Sequence, residues 1–522
     1  MCPKNFAKVL TQRFMLFDIR RICLLTIMLT GLPVAFYAQQ TKNNIVQKAT
    51  ISYTNRYNLP AVLKESSGLI WWNEKLWSHN DSGGTDSVYA FVSDSPMLYE
   101  RYHVAVPNKD WEAVAQDEQF IYVGDFGNNK VVQRTDLRVY KIDKNSLLER
   151  VPIVDTIAFF YPEQTDLSNR KSTEYTDFDC EAFVAAGDSL YLFTKQWIGK
   201  QTAVYSIPKT QGQHEARQLA SYNINGLVTD AEYLPEKRIL ALCGYSSTYL
   251  TQFIHVFYDF EEKNFFDGKI YEFTLNLGAF PHQVEGMTTL DGRIYYVTNE
   301  MSRASQQRLH RFVVEDFFEE YFMRPETALK INGSSVVCRD NRPVTYSISP
   351  VARAETYEWT LPEGVRGTSD TNQITVFFDT ASVAGKVVVR AKNAHGYGGI
   401  TTFDVGICER PKTPIVTQLS RNPRILQSSS SRGNQWYNRR GKIVGATSQQ
   451  YEIMDYDGYY VIVTQYDCSS LPSNIVRIGP TIMLEELPAL TVDSIMRPDA
   501  DKLMKYMKEK KKRKWWQIFE RK

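Results

Sequence analysis

The chain has 522 residues, with 61 Lys+Arg against 59 Asp+Glu and a formal net charge of +2. That balance supplies no strong field and argues against nucleic acid as a partner. The length allows several domains with real cores, and 13% aromatic residues, spread through strand-like runs, fit an all-β protein.

Residues 1–38 read as an export signal. Lys4, Lys8, Arg13, Arg20 and Arg21 form a basic start, and Ile22–Phe36 is an apolar run broken by Gly31 and Pro33. Cleavage is expected after Ala38. The run is short for a membrane span, and an uncleaved anchor is the alternative. The expectation is an exported protein: periplasmic, outer-membrane-associated or extracellular. Beyond Ala38 lie Cys180, Cys243, Cys338, Cys408 and Cys468. No CxxC or Cys/His cluster occurs, which argues against zinc. Cys180 and Cys243 read as small buried apolar residues, while Cys338 and Cys408 bracket one later domain and are candidates for a bridge.

A recurring unit begins at Glu65–Gly84, ESSGLIWWNEKLWSHNDSGG. It returns at Trp111–Asn129, Cys180–Trp197, Ala231–Ser246 and Val284–Glu300. Each copy has an acid, an apolar strand, a tight polar turn, an aromatic-rich strand and a polar loop. Spaced units of this kind, with outer strands between them, predict a β-propeller over 39–328. Five blades are favoured and six are the alternative. The stretch Ala49–Asn55 is expected to complete the last blade and remove a free edge.

In such a blade the first strand lines the channel and the second runs antiparallel to it. The start of one and the end of the other then share an end. Glu65, Glu112, Glu181, Glu232 and Glu285 are therefore expected to converge at one mouth, with Asn80, Asp81, Asp125 and Asn299 beside them. A ring of carboxylates repels itself unless a cation, a basic group or bound protons compensate. The structural alternative is that each Glu bonds backbone N–H groups of the next blade and fixes blade packing.

The opening E-x-x-G-L segment with L-W-x-H-N-D, running from Glu65 to Asp81, resembles the first blade of gluconolactonase and senescence-marker-type lactonase propellers. Phytase-like esterase propellers are similar. The resemblance implies a divalent metal such as calcium, with Glu65 in the place of a ligand. Glu112 and Glu285 are the further metal ligands expected here. The lactonases' other ligands, an Asn and an Asp on later blades, have no clean match, and Lys195 with Gln196 stands where an acid would be offered.

Residues 329–411 carry alternating short strands: Val344–Ser349, Thr356–Pro362, Gln373–Phe378 and Gly385–Lys392. The order YSISPVARAETYEWTLPEG resembles PKD-like β-sandwich domains of secreted Bacteroidetes proteins. Residues 412–480 predict a second β-sandwich, and QWY…GATSQQYE…GYYVIV resembles bacterial surface Ig-like repeats. Trp359 and Trp436 read as core residues. In the tail, 481–522, Ala500–Lys522 is basic with Trp515, Trp516, Ile518 and Phe519 interspersed. Peripheral contact with an anionic surface is one reading of it, a solvated end the other.

Two functions stay open on these residues. One is a non-catalytic protein whose acidic mouth binds a small molecule, a glycan or a surface protein, with the Ig-like modules as spacer or adhesion units. The other is a metal-dependent hydrolase of lactones, esters or phosphoesters.

Overall fold

A computed structural model describes residues 46–479 except 82–83, 130–133, 166–175 and 467. The expected export signal and basic tail lie outside the described residues. The chain divides after Glu409 into two compact units, both built from β-sheet.

The predicted hairpins form where the turn residues permit them. Ser66–Trp72 and Lys75–Asn80 are joined by Asn73 and Glu74, both at positive φ (50° and 60°). A two-residue turn of that kind matches the right-handed twist of the flanking strands. Four such units follow. They start with Trp111–Gln116 and Phe120–Asp125, Asp179–Ala186 and Ser189–Lys195, Leu227–Leu234 and Ile239–Tyr245, and Val284–Thr289 and Ile294–Asn299. Each heads one antiparallel sheet, here numbered first to fifth. The five leading strands adjoin one another in sequence order, and the last adjoins the first.

Outer strands complete the sheets. Val154–Phe160 and Arg217–Tyr222 lie at the outer side of the second and third, and Lys269–Asn276 at that of the fourth. Two sheets gain a fifth, parallel strand: Gly212–Glu215 on the second and Val46–Ser52 on the fourth. The N-terminal segment therefore does not act as one piece. Val46–Ser52 extends the fourth sheet, and only Asn55–Asn58 completes the fifth, beside Arg308–Val313. The expectation for Ala49–Asn55 is corrected to that extent. The chain breaks between the two strands at Tyr53 and Thr54, and Thr54 bonds the carbonyl of Arg311 at 2.7 Å.

Every leading strand slips register once near its start. The residues passed over are Gly68, Glu112, Glu181, Thr229 and Glu285. A bulge leaves one residue unpaired and re-aims its side chain. The bulges are also stitched to neighbouring strands. Ser67 donates to the Glu112 carbonyl (2.5 Å) and Thr229 to that of Val284 (2.6 Å). Gly68 has φ +67°, and a Cβ there would lie 2.6 Å from the Val114 nitrogen. Glycine is what lets the first and second leading strands approach so closely.

The first unit also contains a sandwich with strands Pro343–Ser347, Thr356–Thr360, Gln373–Phe377, Gly385–Asn393 and Thr401–Cys408. Its core holds Tyr346, Val376, Val387 and Val389, with Trp359 half-buried against it. Cys338 and Cys408 are register partners and both disulfide-bonded, while Cys180 and Cys243 are free and buried. This sandwich seats on the turn end of the fourth sheet. Lys237 pairs with Glu326 at 2.7 Å, and Arg324 with Asp259 at 3.1 Å. Thr327 N–H donates to the Glu236 carbonyl at 2.7 Å, and buried Arg238 bridges Asp259 and Glu261. By register, Leu234 and Ile239 mark that end, and Leu227 and Tyr245 mark the other.

The second unit is a small sandwich around fully buried Trp436, packed with Leu426, Tyr459 and Val461.

Candidate functional site

The bulges decide which acids meet. Glu112, Glu181 and Glu285 are bulge residues of the second, third and fifth sheets, and all three are buried. In the fourth sheet the bulge residue is Thr229, not a glutamate.

On one side of the mouth a cation is built in. Lys195, the last residue of its strand, pairs with Glu181 and donates to the Tyr245 hydroxyl at 3.0 Å. Tyr245 donates in turn to Glu285 Oε1 at 2.9 Å. Gln283 reaches Glu285 (3.5 Å) and Glu300 (3.4 Å). Lys195 also lies over the rings of Trp197 and Tyr245, at 4.9 and 5.1 Å. Burial works against its charge, but Glu181 and Glu285 together hold its pKa well above the ordinary lysine value.

On the other side three carboxylates crowd together. Asp81, Asp110 and Glu112 each place an oxygen within 4.8 Å of the others. Burial, and then the charges of Asp81, Glu181 and Asp110, push the Glu112 carboxyl well above its usual range. Glu300 is raised in the same way, by burial and then by Glu285 and Asp81. Asp179 is oriented by the Asn128 N–H and the Trp197 indole, both at 2.7 Å.

The loop after the second sheet's second strand supports this crowding. A Cβ on Gly127 would lie 2.2 Å from Glu112 Oε1 and 2.6 Å from Asp110 Oδ2, so the glycine leaves room against both carboxylates. Asp125 is turned into a brace. It accepts the Asp110 N–H at 3.1 Å and pairs with Arg134 at 2.9 Å. Asn299 is a brace too, donating to the Glu300 and Gln306 carbonyls and meeting His310 at 2.9 Å. Asn80 donates to the Val62 carbonyl at 2.8 Å.

Glu65 and Glu232 do not join the buried group. Glu65 precedes its strand, its side chain is 45% exposed, and it pairs with Lys64 at 3.5 Å. Glu232 lies opposite Ala241, deeper in the channel, where Thr288 donates to it at 2.6 Å. Burial raises its pKa to about 7. Beside it lies a cavity of about 20 Å³ lined by Ile70, Val114, Phe183 and Tyr233, room for about one water. Of the expected metal ligands Glu65, Glu112 and Glu285, only Glu112 belongs to the close carboxylate trio, and Glu285 is engaged by Tyr245 and Gln283. Asp110 and Asp179 were not anticipated. The repeated D-x-E of Asp110–Glu112 and Asp179–Glu181 is the signal that marks them.

Three acids offering only oxygen atoms suit a hard cation such as calcium or magnesium. The space beside Gly127 fits that use.

Residues 324–405 match the family model of the PKD-like domain. No curated protein matches the chain. Among solved structures, similarity is found to a Bombyx mori GH32 β-fructofuranosidase (12% identity, 80% of this chain and 87% of that one, TM-score 0.31). A Bacteroides fragilis protein named as a 6-phosphogluconolactonase is also similar (9%, 80% and 97%, TM-score 0.25). Titin domains A168–A170 match at 15% identity over 43% of this chain and 90% of that one, with a TM-score of 0.17. Likeness this weak carries nothing about activity.

Proposed function

We propose that the five sheets form a five-bladed propeller whose mouth binds a hard divalent cation and, with it, a small polar ligand. The observation that carries this is the meeting of Asp81, Asp110 and Glu112 oxygens within 4.8 Å, beside a glycine that leaves them room. Those three residues would hold the cation, which supplies positive charge for oxygen groups of the ligand. Lys195 and Tyr245 line the opposite side, offering a charge and a hydroxyl for orientation. Export is part of the reading, and the disulfide-bonded Cys338 and Cys408 suit an oxidising compartment.

A second reading, hydrolysis of a lactone or ester at the same mouth, is favoured by the Lys195–Tyr245 contact of 3.0 Å, which sets a cation beside a phenol. The test is a melting curve of the full chain with calcium and with chelator, then a lactone and ester screen. Calcium is expected to raise the transition by mass action, and Glu112→Gln to remove most of that gain. A wild-type transition indifferent to calcium and magnesium rules out the cation reading. A calcium response without turnover favours binding over hydrolysis.

A further inference from the structure

We propose that the second compact unit carries a binding groove for an acidic polysaccharide, independent of the propeller mouth. The groove has a volume of about 650 Å³, within the range of small-ligand sites. It lies on the outward face of the sheet pairing Asn434–Asn438 with Gly458–Gln465. Trp436 and Val461 point into the core, so by strand alternation Gln435 and Tyr437 point out.

Its lining selects the chemistry. Arg432 and Lys442 are cationic, and among the described residues no carboxylate lines the groove. An anionic ligand gains charge-assisted hydrogen bonds from both. Ser431, Thr447 and Thr464 add hydroxyls. Tyr437 lies flat on Tyr460, with ring centroids 5.1 Å apart and planes at 11°. A flat, half-exposed aromatic beside hydroxyls suits the apolar face of a sugar ring. A nucleic acid would call for more than two cations.

The groove walls are hydrogen-bonded. Thr464 N–H donates to the Gly433 carbonyl at 2.8 Å, Asn434 Nδ2 to that of Ser430 at 2.9 Å, and the Ser430 hydroxyl to that of Arg432 at 2.8 Å. Gly433 sits at φ +76°, and a Cβ there would lie 2.3 Å from the Thr464 carbonyl oxygen, so this corner requires glycine. The other wall is held by Gln435, which donates to the Ile443 carbonyl at 2.7 Å and steadies the hairpin bearing Lys442.

The experiment is affinity gel electrophoresis of the full chain in chelator, which silences the propeller mouth. The gels contain polygalacturonate, neutral dextran or polyglutamate. Retardation is expected in polygalacturonate alone. Tyr437→Ala and the double variant Arg432→Gln/Lys442→Gln should each weaken it about tenfold, with unchanged melting. No retardation by polygalacturonate overturns the proposal. So does equal retardation by polyglutamate, which reports charge alone, or undiminished binding by both variants.

Discussion

Asp230 Oδ2, on the fourth sheet, accepts the backbone N–H of Leu69, on the first, at 3.1 Å. The same oxygen accepts Met287 N–H of the fifth sheet at 2.7 Å, and Oδ1 accepts Ala231 N–H at 2.8 Å. One buried carboxylate thus ties three leading strands together at their bulges. Asp230→Ala leaves buried donors unpaired, and the expected loss is about 3 kcal/mol or more. Denaturant unfolding measures it, and a loss under about 1 kcal/mol would mean that the pin is dispensable.

Lys195 is the mouth's built-in counter-charge. Lys195→Met strands Glu181 and Glu285 without it, at a cost of about 3–5 kcal/mol. Adding Glu181→Gln should recover part of the loss, because a neutral amide needs no cation. If the double variant melts no higher than the single, packing around Lys195 matters more than charge.

Gly127→Ala addresses the cation trio without removing a ligand. The new Cβ falls 2.2 Å from Glu112 Oε1, so the carboxylate must move. Overpacking costs about 1–3 kcal/mol, and the calcium-induced shift in melting should be lost while the fold persists. A full calcium response in this variant would exclude the space beside Gly127 from the site.

Two sets of buried groups give opposite pH trends. Burial lowers His79 and His255 to about 4 and His310 to about 3, against an ordinary 6.5. The unfolded chain takes those protons first, so stability falls as pH drops from about 6.5 towards 4. Glu232 runs the other way. Its folded pKa of about 7 exceeds the unfolded 4.5, so its buried charge costs stability above pH 7, and that cost fades as pH falls towards 4.5. Glu232→Gln should therefore stabilise the protein by about 3 kcal/mol at pH 8 and do little at pH 4.5. Equal effects at both pH values would assign the change to packing instead.

Much of this arrangement is legible in the sequence, because acid, strand, turn and strand recur as strings. Glu112, Glu181 and Glu285 share a place in those strings and share the bulge in space. The phase of a bulge is not legible, since one extra residue leaves no mark on an alternation of apolar positions. Asp230-Ala231-Glu232 reads like Asp179-Cys180-Glu181, yet its sheet slips at Thr229 and its glutamate ends up deeper in the channel. Glu65 misleads for a different reason: it stands ahead of its strand, where no pairing aims it. Asp125 and Asn299 are placed by adjacency alone, and their partners come from elsewhere: Arg134 from the loop after Asp125, and His310 from the next strand of its sheet.

The seating of the PKD-like module on the turn end of the fourth sheet sets a mechanical load path. A pull entering through that module meets Lys237–Glu326, Arg324–Asp259 and the Arg238 bridge before it meets any part of the mouth. The chain runs from Arg308–Val313 of the fifth sheet into the module, so force reaches the turn ends of the fourth and fifth sheets, while the carboxylates and Lys195 stand at the far end of the leading strands. The ion pairs on the fourth sheet and the covalent link from the fifth thus give the module two points of attachment, both remote from the carboxylates.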